Sequence, residues 1–223
     1  MTLTEMKILR LIPILCAWAA VLAGAAPAGS GVETRTIVDF EDGLPPETEE
    51  RRFAGQTLYR VVELDNGRVL SATAEGSASG LVFPTRFDPA EWPWLEWRWK
   101  VDGIVQSGDA RFKHGDDYAA RVYVIFPHWL PLRTRSINYI WANRLPREAA
   151  QANTYTANAM MVALQSGDGN SGEWVTERRN LVDDYRRLFG EEPPDKALVA
   201  VMTDSDQTQE AVQAWYDEIR LVR

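Results

Sequence analysis

Two groups of carboxylates have the types and spacing to do chemistry. Asp116 and Asp117 are adjacent in GDDYAARVYVIF, Gly115 to Phe126, directly ahead of an alternating apolar run, and Asp204 and Asp206 are one residue apart in MTDSDQT, Met202 to Thr208. Two carboxyl groups about 5–10 Å apart across a groove can cleave a glycosidic bond. Close together with other oxygens, they can hold a divalent cation or accept from sugar hydroxyls. Adjacent side chains on an extended chain point to opposite sides, so Asp116 and Asp117 do not read as a matched acid and base. Asp117 instead shares its parity with Arg121, while Asp204 and Asp206 fall on one side of an extended loop beside Thr203, Ser205 and Thr208. Plain turn chemistry is the competing reading for both groups, since Gly, Asp and Ser are ordinary turn residues.

The strands that would position these groups are the most aromatic in the chain. Along Trp94 to Val101, Leu95, Trp97, Trp99 and Val101 share one face, and Trp94, Glu96, Arg98 and Lys100 the other. Tyr118 to Phe126 splits the same way, with Arg121 and Tyr123 on the polar side. If the two strands pair, Arg98, Lys100, Arg121 and Tyr123 share an open face rich in donors for an anionic or hydroxyl-rich ligand; a solvated salt-bridge face with Glu96 is the alternative. Trp97, Trp99 and Trp215 read as core, whereas Trp94, Trp129 and Trp141 are candidates to offer a flat face to a sugar ring.

From Thr34 onward the hydrophobic period is close to two, and short runs are divided by Gly, Asp and Pro, the pattern of an all-β domain. Thr57 to Leu64 and Arg68 to Glu75 flank Asp65-Asn66-Gly67, a hairpin signal. Ile137 to Asn143 and Ala157 to Gln165 are apolar on both parities and belong in the sheet centre. The turn Gly167 to Gly172 predicts a hairpin partner at Glu173 to Arg179. One short surface helix is expected over 181–189, capped by Asn180 and stopped by Gly190. The sum is a single antiparallel β-sandwich domain over 34–223, jelly-roll-like, with about ten strands.

Lys7 and Arg10 precede an apolar run, Leu11 to Leu22, and then small residues, so 1–28 reads as a secretory signal peptide. The mature chain is expected to be periplasmic or secreted, with no membrane span. The sole cysteine, Cys16, lies in that run, which leaves no disulfide, thiol nucleophile or cysteine–metal site. A net charge of −8 disfavours nucleic acid as a partner. His114 and His128 are the only histidines, too few for a histidine-rich zinc site, and no nucleophile elbow, phosphate loop or dinucleotide fingerprint occurs.

WRWKV (Trp97 to Val101), GDDYAARVYVIF, INYIWAN (Ile137 to Asn143), MTDSDQT and AWYDEIRLV (Ala214 to Val222), in that order, make the chain resemble a bacterial exported family known only as domain-of-unknown-function family 3047. That family carries no established activity. VDFEDG (Val38 to Gly43) and WYDEIRLV (Trp215 to Val222) are similar to the first and last strands of galactose-binding-like jelly rolls, the sandwich of many carbohydrate-binding modules. The resemblance implies a structural calcium held by Asp39, Glu41 and Asp217; Asp217 shares parity with Ile219 and Leu221 and is expected to point inward.

The sequence thus predicts a binding module for a polysaccharide or related envelope glycan, using Arg98, Asp116, Asp117, Arg121, Tyr123, Trp141, Asp204 and Asp206, with no cofactor beyond that calcium. A polysaccharide hydrolase or lyase working through carboxylates with Arg121, and a structural envelope protein without ligand, are the alternatives. Two carboxylates facing across a groove would mark the enzyme, and carboxylates paired to arginine the binding module.

Overall fold

A computed structural model describes residues 31–223, of which Val32–Arg223 form one compact unit. The signal-peptide reading of residues 1–28, with Cys16, lies outside the described residues. Thirteen strands and one α-helix follow in order: Thr34–Val38 (β1), Glu49–Ala54 (β2), Leu58–Leu64 (β3), Gly67–Glu75 (β4), Ala78–Val82 (β5), Trp94–Val101 (β6), Arg121–Phe126 (β7), Arg135–Ala142 (β8), Ala150–Ala152 (β9), Ala159–Ser166 (β10), Val175–Asn180 (β11), Leu181–Phe189 (α1), Leu198–Asp204 (β12) and Ala211–Val222 (β13). They build a two-sheet, jelly-roll-like sandwich. The first sheet runs β11-β6-β13-β4-β3, with β1 added on β13, and the second runs β2-β5-β12-β7-β8-β10-β9. All pairings are antiparallel except β8 with β10, which run parallel.

Alternation decides the core. Trp97 and Trp99 of β6 point inward and meet Tyr139 and Trp141 of β8 across the gap, with ring centroids 5.3 Å apart for Trp97–Tyr139 and 5.8 Å for Trp99–Trp141. Trp141 is fully buried and its indole N–H donates to the Gly167 carbonyl, so it presents no face to a ligand. Trp215 is only half-buried beneath the Lys100 ammonium, and its neighbour Tyr216 takes the core position expected of it.

Turn chemistry sets the register. Asp65 (φ 53°) and Asn66 (φ 68°) both lie in the left-handed region, so they are the central pair of a tight hairpin turn that closes at Leu64 and Gly67. The turn therefore sits one residue earlier than the Asn-Gly signal suggests. The Asn180 side chain accepts from the amides of Val182 and Asp183 to start α1, and Gly190 (φ 73°) ends it. Asp184 pins that helix to the second sheet, accepting from Tyr139 Oη at 2.8 Å and from Arg179. Burial opposes its charge, but the Arg179 hydrogen bonds and charge hold its carboxyl below the usual range.

Two sequence expectations are corrected, and one strand was not anticipated. β11 pairs with β6 in the first sheet rather than forming a hairpin with β10. Strand β2, EERRFA, is too polar to be read from periodicity and pairs on the edge with β5. Finally, β6 and β7 lie in different sheets, so Arg98 and Lys100 share no face with Arg121 and Tyr123. Replacing Trp99 by Ala removes one side of the inter-sheet aromatic stack and should cost about 3–5 kcal/mol, read as a drop in unfolding free energy by urea denaturation.

Candidate functional site

The site lies on the outer face of the second sheet, where alternation turns Arg121 and Tyr123 of β7, Ser136 and Asn138 of β8, and Met202 and Asp204 of β12 away from the aromatic core. At one end of this face the segment 102–120 folds over Ile140, Ala142, Met161 and Ala163, burying them with Ala110 and Tyr118 in a second apolar cluster. Asn143 anchors that cover, with Nδ2 donating to the Asp117 carbonyl at 2.7 Å and Oδ1 accepting from the Val105 amide. Gly115 is required in it, since a Cβ there would stand 2.6 Å from the Asp109 amide nitrogen. What remains open beside the cover is a cavity of about 460 Å³.

Arg121 governs the polar end. Its side chain is 4% exposed, and Nε donates to Asp204 Oδ1 at 2.7 Å while Nη2 donates to Asp204 Oδ2 and to the Asp116 carbonyl. Nη1 lies 3.7 Å from Asp116 Oδ1, and the guanidinium stacks over Tyr118 at 4.3 Å. Burial, reinforced by Asp117 and Asp116, pushes the Asp204 carboxyl up to about 7 although Arg121 pulls against it. Both Asp204 oxygens are engaged, so Asp204 is no free acid or base.

The remaining carboxylates have distinct roles. Asp117, fully buried, accepts from the Gln207 amide at 3.3 Å and the Thr208 amide at 2.6 Å, and so shapes the loop after β12. Asp116 accepts from Asn153 Nδ2 at 2.7 Å. Asp206 has no cationic partner among the described residues; its hydrogen bond comes from the Gln207 side chain, and burial together with Asp117 raises its pKa. Tyr123 reaches only the Met202 sulfur, at 3.5 Å, and burial pushes its hydroxyl up to about 12. Two exposed aromatic rings complete the rim, Phe53 at 72% and Tyr155 at 58% exposure.

The structure therefore brings together Asp116, Asp117, Arg121, Tyr123, Asp204 and Asp206, and separates Arg98 and Trp141 from them. The expected ligand set Asp39, Glu41 and Asp217 lines one hollow together with Arg98, Glu218 and Arg220, but its three carboxylates are not within ion-sharing distance of one another. Strand β13 carries a bulge at Glu218 (φ 50°), which breaks the alternation, and Asp217 turns outward to pair with Arg98 at 2.5 Å. Glu41 accepts from the Arg68 amide, and Asp39 from the amide of Glu41. Among the described residues, the group of three carboxylates close enough to share an ion is Asp117, Asp204 and Asp206, with oxygens within 4.8 Å. Two of the three are already occupied, Asp204 by a guanidinium and Asp117 by backbone amides, a poor start for calcium, which takes six to eight oxygens.

Phe53, Asn138, Asn153, Tyr155 and Gln207 were not anticipated. Asn138 alone left a signal, a carboxamide in a central strand whose stretch from Ile137 to Ala142 is otherwise apolar or aromatic. A larger hollow of about 770 Å³ lies beside Pro46 and Val82, but its charged residues, Glu47, Glu49, Arg51 and Arg86, are all exposed.

These features define a β-sandwich with a polar, aromatic-rimmed cavity on one sheet. The family model for DUF3047, a protein family of unknown function, matches residues 47–220, and the chain belongs to that family. No curated protein matches the sequence. Among solved structures, the chain is similar to the family 11 carbohydrate-binding module of a cellulosomal cellulase of Clostridium thermocellum (13% identity, 86% of this chain and 95% of that one, TM-score 0.45). It is also similar to a family 30 carbohydrate-binding module of another cellulase of that organism (10%, 85% and 96%, 0.49) and to a family 12 endoglucanase of Trichoderma harzianum (8%, 80% and 98%, 0.38). Likenesses this distant transfer no ligand or activity.

Replacing Arg121 by Met strands the Asp204 carboxylate in its buried site and should cost about 3–5 kcal/mol near neutral pH. A carboxyl whose folded pKa lies above its unfolded value, about 3.9, contributes stability at low pH that is lost as pH rises through the folded pKa. The loss in Arg121→Met should therefore be smaller at pH 5 than at pH 8, compared by denaturant unfolding of both proteins at each pH.

Proposed function

We propose that this chain is an exported binding module for a hydroxyl-rich glycan, such as a polysaccharide of the cell envelope, and that the ligand lies in the cavity over the second sheet. The observation that carries this reading is a polar floor of carboxylates and carboxamides set between two exposed rings. Sugar rings offer hydroxyls to such acceptors and an apolar face to such rings. Phe53 is exposed with no partner ring among the described residues, Tyr155 is exposed with the Lys113 ammonium over its ring and its hydroxyl donating to the Lys113 carbonyl, and Asp116, Asn138 and Asp206 face the same space.

Binding fits better than hydrolysis. The Asp204–Arg121 ion pair is closed on itself and Asp117 is consumed by the loop it shapes, while Asp116 is held by Asn153 with Arg121 3.7 Å away. Among the described residues, Asp206 is thus the one cavity carboxyl without a cation beside it, and it lacks a second free carboxyl to share the roles of acid and base. Export rests on the charged, apolar and small-residue succession at the N-terminus; among the described residues, no helix is long and apolar enough to cross a membrane.

Affinity electrophoresis of the chain through gels containing soluble polysaccharides tests the reading. Retardation by at least one glycan is expected, and Phe53→Ala with Tyr155→Ala should weaken it about tenfold or more, given that each ring supplies on the order of 1 kcal/mol. Because both rings are exposed, the melting temperature should hold. No retardation by any glycan would overturn the proposal.

A further inference from the structure

The charge and the hydrogen-bond bookkeeping of the cavity narrow its ligand further. Asp116, Asp204 and Asp206 line it, with Asp117 behind them, against one lining cation, Arg121, and the Lys113 ammonium over the Tyr155 ring at the rim. Arg121 is already shared by Asp204 and Asp116, which leaves Asp206 uncompensated. With every group ionised and the rim Lys113 counted, the site carries a net charge of about −2, and with Asp204 protonated still about −1.

The donors tell the same story. Arg121 donates to Asp204 and Asp116, Asn153 Nδ2 to Asp116, and Gln207 Nε2 to Asp206. Acceptors, by contrast, are left open. Asn138 is 2% exposed and lines the cavity; its Nδ2 lies 3.2 Å from the Met161 sulfur, a weak acceptor, and its Oδ1 has no partner among the described residues. A buried acceptor with no donor is a demand that a ligand can meet.

We propose that the ligand is cationic: a glycan carrying free amino groups, that is, a deacetylated amino sugar whose ammonium pairs with Asp206 while ring hydroxyls or the same ammonium satisfy Asn138. This rests on the glycan-binding reading and specifies it. An ammonium brings three donors and a positive charge and needs no coordination shell of six or more oxygens, which the occupied carboxylates here do not supply. A uronic acid or phosphorylated sugar would bring a negative charge to a site already negative, with Arg121 unable to reach it.

Titration calorimetry of the chain at low salt, with EDTA present, against four tetrasaccharides tests this: glucosamine, N-acetylglucosamine, glucose and galacturonic acid oligomers. The glucosamine oligomer should bind about tenfold or more tighter than its acetylated counterpart, the galacturonic acid oligomer should bind weakest, and Asp206→Asn should erase the preference for the free amine. Asn138→Leu, which fills the space without an acceptor, should weaken the glucosamine oligomer. Equal or tighter binding of the acetylated or uronic acid oligomer overturns the inference and leaves the glycan reading standing. So does a glucosamine preference that Asp206→Asn does not touch, or one that appears only when calcium replaces EDTA. If no oligomer binds, and polysaccharide gels do not retard the chain, the glycan reading itself fails.

Discussion

The buried ion pair of Arg121 and Asp204 is the constraint on which the site depends. A guanidinium at 4% exposure cannot remain there uncompensated, and its partners come from two distant stretches, the end of β12 and the turn before β7. Arg121 ties Asp204 to the Asp116 carbonyl, so the two acidic loops are held in one arrangement before any ligand arrives. Asp117 completes the clasp through the amides of Gln207 and Thr208. The chemistry of the cavity follows from this closure, because the same bonds that fix the loops use up the guanidinium and leave Asp206 without a cation among the described residues.

The sandwich supplies rigidity behind that clasp. Tyr216 crosses from the first sheet, where its hydroxyl donates to the Met202 carbonyl at 2.7 Å and lies 2.8 Å from Thr203 Oγ1, directly beneath the strands that carry Arg121 and Asp204. The Arg121 amide donates back to the same hydroxyl. The aromatic core and the polar site are thus joined through one buried tyrosine, and a site on the face of a packed sheet is better preorganised than one on free loops.

Much of this was legible in the sequence, for identifiable reasons. Period-two alternation revealed the inward Trp97 and Trp99, and capping chemistry at Asn180 and Gly190 located the helix. Alternation also put Arg121 and Tyr123 on the outward side of β7. It could not say which strands would be neighbours, because sheet membership depends on contacts far apart in the chain, and so Arg98 was grouped with Arg121 although they lie on separate sheets. Parity failed at Asp217 because a bulge at Glu218 (φ 50°) resets it, and no glycine stands there in the sequence to signal it. Tyr155, Asn153 and Phe53 sit in a loop and a polar edge strand, where local pattern carries little information about what the side chains face.

Amide shift mapping tests the central claim most directly, since it reads where on the molecule a glycan binds. Titrating the chain with the tightest oligosaccharide should move the resonances of Phe53, Asn138, Asn153, Tyr155 and Gln207 around the cavity of the second sheet, and leave those of Arg98, Lys100 and Trp215 on the first sheet unmoved. Shifts clustered on the first sheet, or scattered with no focus at saturation, would contradict the account.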